Sequence, residues 1–164
     1  MPRAIDKHEV LRRLRERLAA TLERLTAAQT AAQSGAVHAE AKQEHPKDTR
    51  SIEAGYLSRG LAERVETMQE AVSILGVFRL PQRGSDDPIG LGDLVALLGE
   101  DGGEAIHFLA PVGGGEKLDI EGTEVLVLTP RAPLGAALVG SHPGDEVTID
   151  LPGGKRCLVI AWVC

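Results

Sequence analysis

Aromatic residues are scarce in this sequence: Tyr56, Phe78, Phe108 and Trp162 are the only four among 164. The core must therefore be aliphatic, and serial stacking of nucleic-acid bases on aromatic platforms is excluded as a binding mode. Cysteine is limited to Cys157 and Cys164, both in the last strand-like run, with no further thiol to complete a ligand set. They read as free, buried thiols. No apolar run approaches the roughly 18 residues that a membrane helix requires. Met1-Pro2-Arg3 leads directly into a charged segment with no signal sequence, so a soluble cytoplasmic protein is expected.

Catalytic motifs are lacking as well. Gly113-Gly114-Gly115 is not followed by Gly-Lys-Ser/Thr and opens no helix, so it reads as a flexible connection and not as a phosphate loop. Ser141-His142 sits before Pro143-Gly144 with no oriented acid, which argues against a hydrolase triad. With no nucleophile–base pair and no metal cluster in view, an enzyme in its own right is not expected.

Charge is present but uneven. Residues 1–80 hold 13 Lys+Arg against 11 Asp+Glu, a balance of +2, whereas residues 81–164 hold 5 against 13, a balance of −8. A near-neutral first half on an acidic second half does not suit a duplex-DNA binder, and a protein partner is expected.

The organising segment is Asp6 to Leu75. Leu11, Leu14, Leu18, Leu22 and Leu25 recur in steps of three and four, continued by Ala28 and Ala32. Leu57, Leu61, Val65, Met68, Val72 and Leu75 repeat the pattern. Each set makes one narrow apolar stripe, and two such helices bury their stripes against each other as an antiparallel coiled-coil hairpin. Asp6 with Glu9 has the capping-box offset that starts the first helix. Gly35 weakens that helix, which either frays from Ser34 or runs on to Glu44. His45-Pro46 marks the break, and Asp48 or Ser51 is the N-cap of the second helix. Gly55 and Gly60 near its start are unhelpful to a helix unless something packs closely there.

Leu80 to Gly92, with Pro81, Gly84, Asp86-Asp87-Pro88 and Gly90, reads as a linker. Beyond it the apolar period changes to two. Residues 93–98, 104–110, 123–129, 145–151 and 156–163 read as strands, with hairpin turns at Asp101-Gly102-Gly103 and Gly153-Gly154. Pro133 to Val139 reads as one short helix closed by Gly140. The expected fold class is α+β: a hairpin over residues 1–79, then a domain over 80–164 made of an antiparallel sheet with one short helix across a face.

The run Pro133-Leu134-Gly135-Ala136-Ala137-Leu138-Val139-Gly140, followed by Gly144-Asp145-Glu146-Val147 and Leu151-Pro152-Gly153-Gly154, resembles the C-terminal domain of Gre-type bacterial transcription elongation factors. That domain has an FKBP-like fold and a Ser-Pro-hydrophobic-Gly…Gly-Asp…Pro-Gly-Gly signature. The order of parts, hairpin then domain, is similar over nearly the whole chain. Ala132 stands where the family usually has a Ser that caps the helix. Prolyl-isomerase activity is not expected, because an FKBP-type pocket is lined by aromatics and this domain offers only Phe108 and Trp162.

The resemblance implies an accessory factor for bacterial RNA polymerase. The FKBP-like domain docks on the polymerase rim and the hairpin enters the secondary channel. Tip carboxylates then help to hold a Mg²⁺ shared with the polymerase active centre, which cleaves backtracked RNA, so contact with nascent RNA is indirect. The family's tip carries an Asp with a Glu three residues on. Here the stretch is His38-Ala39-Glu40-Ala41-Lys42-Gln43-Glu44-His45-Pro46-Lys47-Asp48-Thr49-Arg50. Glu40 and Glu44 are four apart, on one face if the helix continues, and are the expected metal ligands; they are otherwise a solvated helix end. Asp48 joins them as a third catalytic candidate and is otherwise a helix cap. His38 and His45 could approach a metal or an RNA phosphate, or simply be exposed. Lys42, Lys47 and Arg50 partly neutralise the acids. The resemblance thus leaves two functions open: stimulation of transcript cleavage, and occupation of the channel without cleavage.

Overall fold

The computed structural model describes residues 5–41, 49–84 and 86–164, with the backbone alone for Ala36, Ala39, Glu40 and Ser51. Two long helices come first, α1 (Lys7–Ala41) and α2 (Thr49–Val77). They are followed by β1 (Leu94–Leu98), β2 (Glu104–Leu109), β3 (Lys117–Ile120), β4 (Thr123–Leu128), α3 (Pro133–Leu138), β5 (Glu146–Leu151) and β6 (Gly154–Val163). Glu16–Ser73 forms one compact unit, and the segments on either side of it form the other.

Asp6 caps α1, its Oδ1 accepting the His8 amide N–H at 2.9 Å. The expected box is only half made, because Glu9 turns outward to the guanidinium groups of Arg12 and Arg13. Those partners hold the Glu9 carboxyl at about 2, well below its ordinary 4.5. Helix formation then continues through Gly35 to Ala41.

In the helical unit, Leu18 and Val65 are buried and Leu22, Leu25, Leu61 and Met68 are half-buried, as stripes on two paired helices require. The stripe does not persist to the far end. Leu57, assigned to it by spacing, is 60 % exposed, and Ile52 and Tyr56 beside it are exposed too. Past Leu25, α1 offers only alanines and Val37 as apolar side chains, and these are too small to cover long partners. Nor does anything pack on Gly55 or Gly60, since a Cβ at either would meet nothing within 4 Å.

In the second unit the strand order is β3-β4-β2-β1-β6-β5. Four pairings are antiparallel, but β2 and β4 run parallel, so the sheet is mixed and not purely antiparallel. The reason is β3, a strand the sequence reading passed over. It occupies the sheet edge, and its hairpin with β4 returns the chain alongside β2 in the same direction. The Glu121-Gly122 turn of that hairpin has positive φ at both residues, 53° and 81°, as a two-residue type I′ loop demands. Asp119 Oδ1 accepts the Gly122 N–H at 2.9 Å and holds the turn.

One sheet face carries Val95, Leu97, Leu109, Leu128, Val147 and Ile160, and α3 covers it with Leu134, Ala137 and Leu138. On the other face Leu94, Phe108, Val125 and Val127 are fully buried as well. Pro133 opens α3, Ala132 gives it no side-chain cap, and Gly140 leaves it at φ 86°. Gly113–Gly115 is an ordered turn, with the Gly115 N–H donating to the Val127 carbonyl at 2.9 Å. The thiols depart from expectation: Cys157, paired with Thr148 in the β5–β6 hairpin at the sheet edge, is half-buried, and Cys164, just past β6, is exposed.

Candidate functional site

The candidate site is the segment between the two long helices. Helical geometry carries α1 past Gly35 as far as Ala41, so the backbone of Glu40 lies in its last turn. The Glu40 side chain, and Glu44 and Asp48 altogether, lie outside the described residues, as do Lys42, His45 and Lys47. From Thr49 to Ser73, α2 rises roughly 38 Å at about 1.5 Å per residue.

The described neighbours of this segment are now placed. A ring nitrogen of His38, Nδ1, lies 2.8 Å from the Ser34 carbonyl oxygen, which ties the imidazole to its own helix. The guanidinium of Arg59 stands 5.4 Å from the Tyr56 ring centroid, a cation–π arrangement on an exposed face. With Ile52 and Leu57, Tyr56 gives that end of α2 an apolar, solvent-facing surface; of the three, spacing had assigned only Leu57 to the stripe. Among the described residues, no group of three His, Cys, Asp or Glu side chains is placed to hold a metal ion.

Among the described residues of the sheet unit, two charged or titratable side chains, Asp93 and His107, are buried. Asp93 is 2 % exposed; its Oδ2 accepts the Gly90 N–H at 2.8 Å and lies 3.4 Å from Arg83 Nε, and its Oδ1 lies 3.8 Å from Lys7 Nζ. Burial pushes its carboxyl above the ordinary value despite those cations. His107 on β2 is the other, held below its ordinary value by burial, with the Ala105 carbonyl pulling the other way. Neither was singled out from sequence. The alternation of β2 was the available signal, since it places His107 on the same face as Leu109.

The Ser141-His142 turn does have an acid beside it. Asp145 Oδ2 accepts the His142 backbone N–H at 2.8 Å and stands 3.9 Å from the ring Nδ1. Ser141 Oγ is turned away and donates to the Ala137 carbonyl at 3.0 Å. This is a side-chain-closed turn, and the hydroxyl does not face the imidazole.

No family model matches the chain. It is 29 % identical over 111 residues to the transcription elongation factor GreA of Sulfurovum sp. (strain NBC37-1), covering 67 % of this chain and 65 % of that protein. The GreA of Acidiphilium cryptum is 29 % identical over 100 residues, covering 61 % and 60 %. The chain thus spans less than two thirds of the length of these curated relatives. Among solved structures, the GreA factor homolog 1 (Gfh1) of Thermus thermophilus superposes at TM-score 0.37 and 22 % identity, covering 92 % of this chain and 94 % of that one. Among the described residues, no helix is long and apolar enough to cross a membrane. In sequence, the chain is a distant relative of the Gre-type transcription elongation factors.

Proposed function

We propose that this chain is an accessory transcription elongation factor that binds bacterial RNA polymerase in the cytoplasm. Its helical unit enters the secondary channel, and the segment between the helices reaches the active centre and stimulates cleavage of backtracked RNA. The observation that carries this reading is that the curated sequence relatives are named transcription elongation factor GreA. A helical unit whose sequence holds Glu40, Glu44 and Asp48 at and between the ends of its two helices is consistent with it.

Carboxylates are the donor class that Mg²⁺ takes, one or two at a time with water and phosphate oxygens. Glu40 and Glu44 would supply such ligands to an ion shared with the polymerase, and Asp48 would add negative charge from the start of α2. The ion's chemistry when bound is activation of water for phosphodiester hydrolysis. This chain's part is to present oxygen ligands; the nuclease activity is the polymerase's own.

A second reading is favoured by one feature, the absence of the Asp-x-x-Glu pair together with the nearby Lys42, Lys47 and Arg50. In that reading the chain occupies the channel without stimulating cleavage. Stalled, backtracked polymerase complexes separate the two. Wild-type protein is expected to shorten the RNA, and a Glu40→Gln/Glu44→Gln variant to do so tenfold more slowly or worse, about 1.4 kcal/mol. Equal cleavage by both proteins removes the acids from the mechanism. Binding without any stimulated cleavage selects channel occupation.

A further inference from the structure

The parallel ladder between β2 and β4 begins only at Ile106 opposite Val125. Glu104 and Ala105 on one strand, and Thr123 and Glu124 on the other, therefore lie outside it. A cleft of about 440 Å³ opens at this point, and His107 forms part of its lining. The imidazole is 6 % exposed, and its Nδ1 has no hydrogen-bond partner among the described residues. Its cross-strand neighbours are the hydrocarbon side chains of Val95 and Leu126, and the Ala105 carbonyl acts on the ring without satisfying Nδ1. A buried polar atom left unpaired costs free energy that a ligand's donor or acceptor would recover.

The charge around the cleft decides which ligand fits. Glu104 and Glu124 are both in the lining, Glu124 on the His107 face of the sheet and Glu104, three residues from His107 along β2, on the other. The one cation there, Lys117, pairs with Glu124 at 3.2 Å, and both side chains are about two-thirds exposed, at 65 % and 66 %. Such an exposed pair is weakly held and exchanges readily. An incoming anion on the His107 face would meet the Glu124 carboxylate and an acidic half-chain, whereas an incoming cation would meet complementary charge. Burial keeps His107 neutral at pH 7, which leaves an acceptor lone pair on the ring. A guanidinium fits this set better than an ammonium, because it can fork onto a carboxylate and still direct another N–H at a second acceptor, and it loses less hydration on entry.

We propose that the wedge between β2 and β4 is a docking site for an arginine side chain of a protein partner, with His107 accepting a hydrogen bond at its base and Glu124, on the His107 face, supplying the counter-charge at its mouth. This site does not depend on the Gre-type reading.

Titration of the full chain with a blocked arginine, Nα-acetyl-arginine amide, followed by two-dimensional amide NMR, tests it. Saturable shifts are expected at residues 104–107 and 122–126, with blocked lysine binding more weakly and blocked glutamate not at all. Glu124→Gln, an exposed change that leaves the sheet intact, should weaken binding about threefold or more. His107→Gln should weaken it too, provided its spectrum shows the native fold. No saturable shift, equal shifts with blocked glutamate, or an unchanged affinity in Glu124→Gln overturns the proposal. Equal binding of blocked lysine overturns the assignment to a guanidinium.

Discussion

Gly135 lies against the backbone of Thr129 so closely that a Cβ placed on it would overlap the Thr129 carbonyl oxygen. That contact explains why the Pro133-Leu134-Gly135 sequence has a glycine at its third position. Proline sets the first turn of α3, leucine reaches into the core, and glycine lets the helix sit on the strand end. Gly135→Ala is therefore expected to destabilise the protein by about 1–3 kcal/mol through overpacking. Urea denaturation of the full chain measures this, and an unchanged midpoint would mean that α3 shifts freely.

Gly55 and Gly60 should behave in the opposite way. Both are in α2, and neither has a neighbour that an added methyl would strike. Gly55→Ala and Gly60→Ala are each expected to stabilise the helix by roughly 0.5–1 kcal/mol. The rise in helical circular dichroism and in thermal midpoint reports it. A loss of stability at either site would reveal a contact that needs the bare backbone.

Arg15 closes the end of α2. Its Nε donates to the Leu75 carbonyl at 3.1 Å and its Nη2 to the Phe78 carbonyl at 2.8 Å, so one side chain satisfies two acceptors that the helix leaves open. Arg15→Ala should cost about 1.5–3 kcal/mol. Arg15→Lys should recover only part of it, because an ammonium cannot span both acceptors with a fixed fork. Full rescue by lysine would show that charge near the helix end, and not the fork, is what matters.

His107 predicts a pH dependence. Its folded value is depressed by burial, so below the unfolded value of about 6.5 the unfolded chain binds the proton more readily. The contribution of the neutral ring is thus complete above that value and is lost progressively as the pH falls below it. Denaturation midpoints should drop more between pH 7 and 5 in wild type than in His107→Phe. Parallel pH profiles for the two proteins would contradict the assignment.

Much of this architecture could be read from the order of side chains. The Leu stripes, the Pro81–Gly92 composition and the later alternation of Val, Ile and Leu locate two long helices and five of the strands because each pattern repeats often enough to be distinctive. Lys117-Leu118-Asp119-Ile120 has the same alternation, with Leu118 and Ile120 buried, but four residues beside a glycine run give it too little length to stand out. The parallel pairing of β2 with β4 follows from that strand, and no local pattern encodes a strand's partner. Leu57 shows the complementary failure, since spacing fixes a helix face but not whether the facing helix carries side chains long enough to cover it. At the candidate site the residue types were legible and their arrangement was not. Glu40, Glu44 and Asp48 were marked by their clustering at a break and by resemblance, neither of which fixes a distance. His107 went unmarked, because a single histidine in an alternating run carries no signal until its burial is known.

The sheet unit is discontinuous in sequence, interrupted by Glu16–Ser73, and this bears on how the chain is made. During synthesis the helical segment leaves the ribosome first and can pair locally, since its contacts need only one short connection to close. The first two turns of α1 must wait much longer for their partners. β1 needs β6, which emerges after the other described strands, before its second edge is covered, and β5 too is paired with β6. Loop closure over so many residues is slow, so assembly of the sheet should set the folding rate of the whole protein. Until β6 arrives, the edge of β1 is an open template for any other extended chain. The nascent form, more than the finished one, is where this protein is exposed to aggregation.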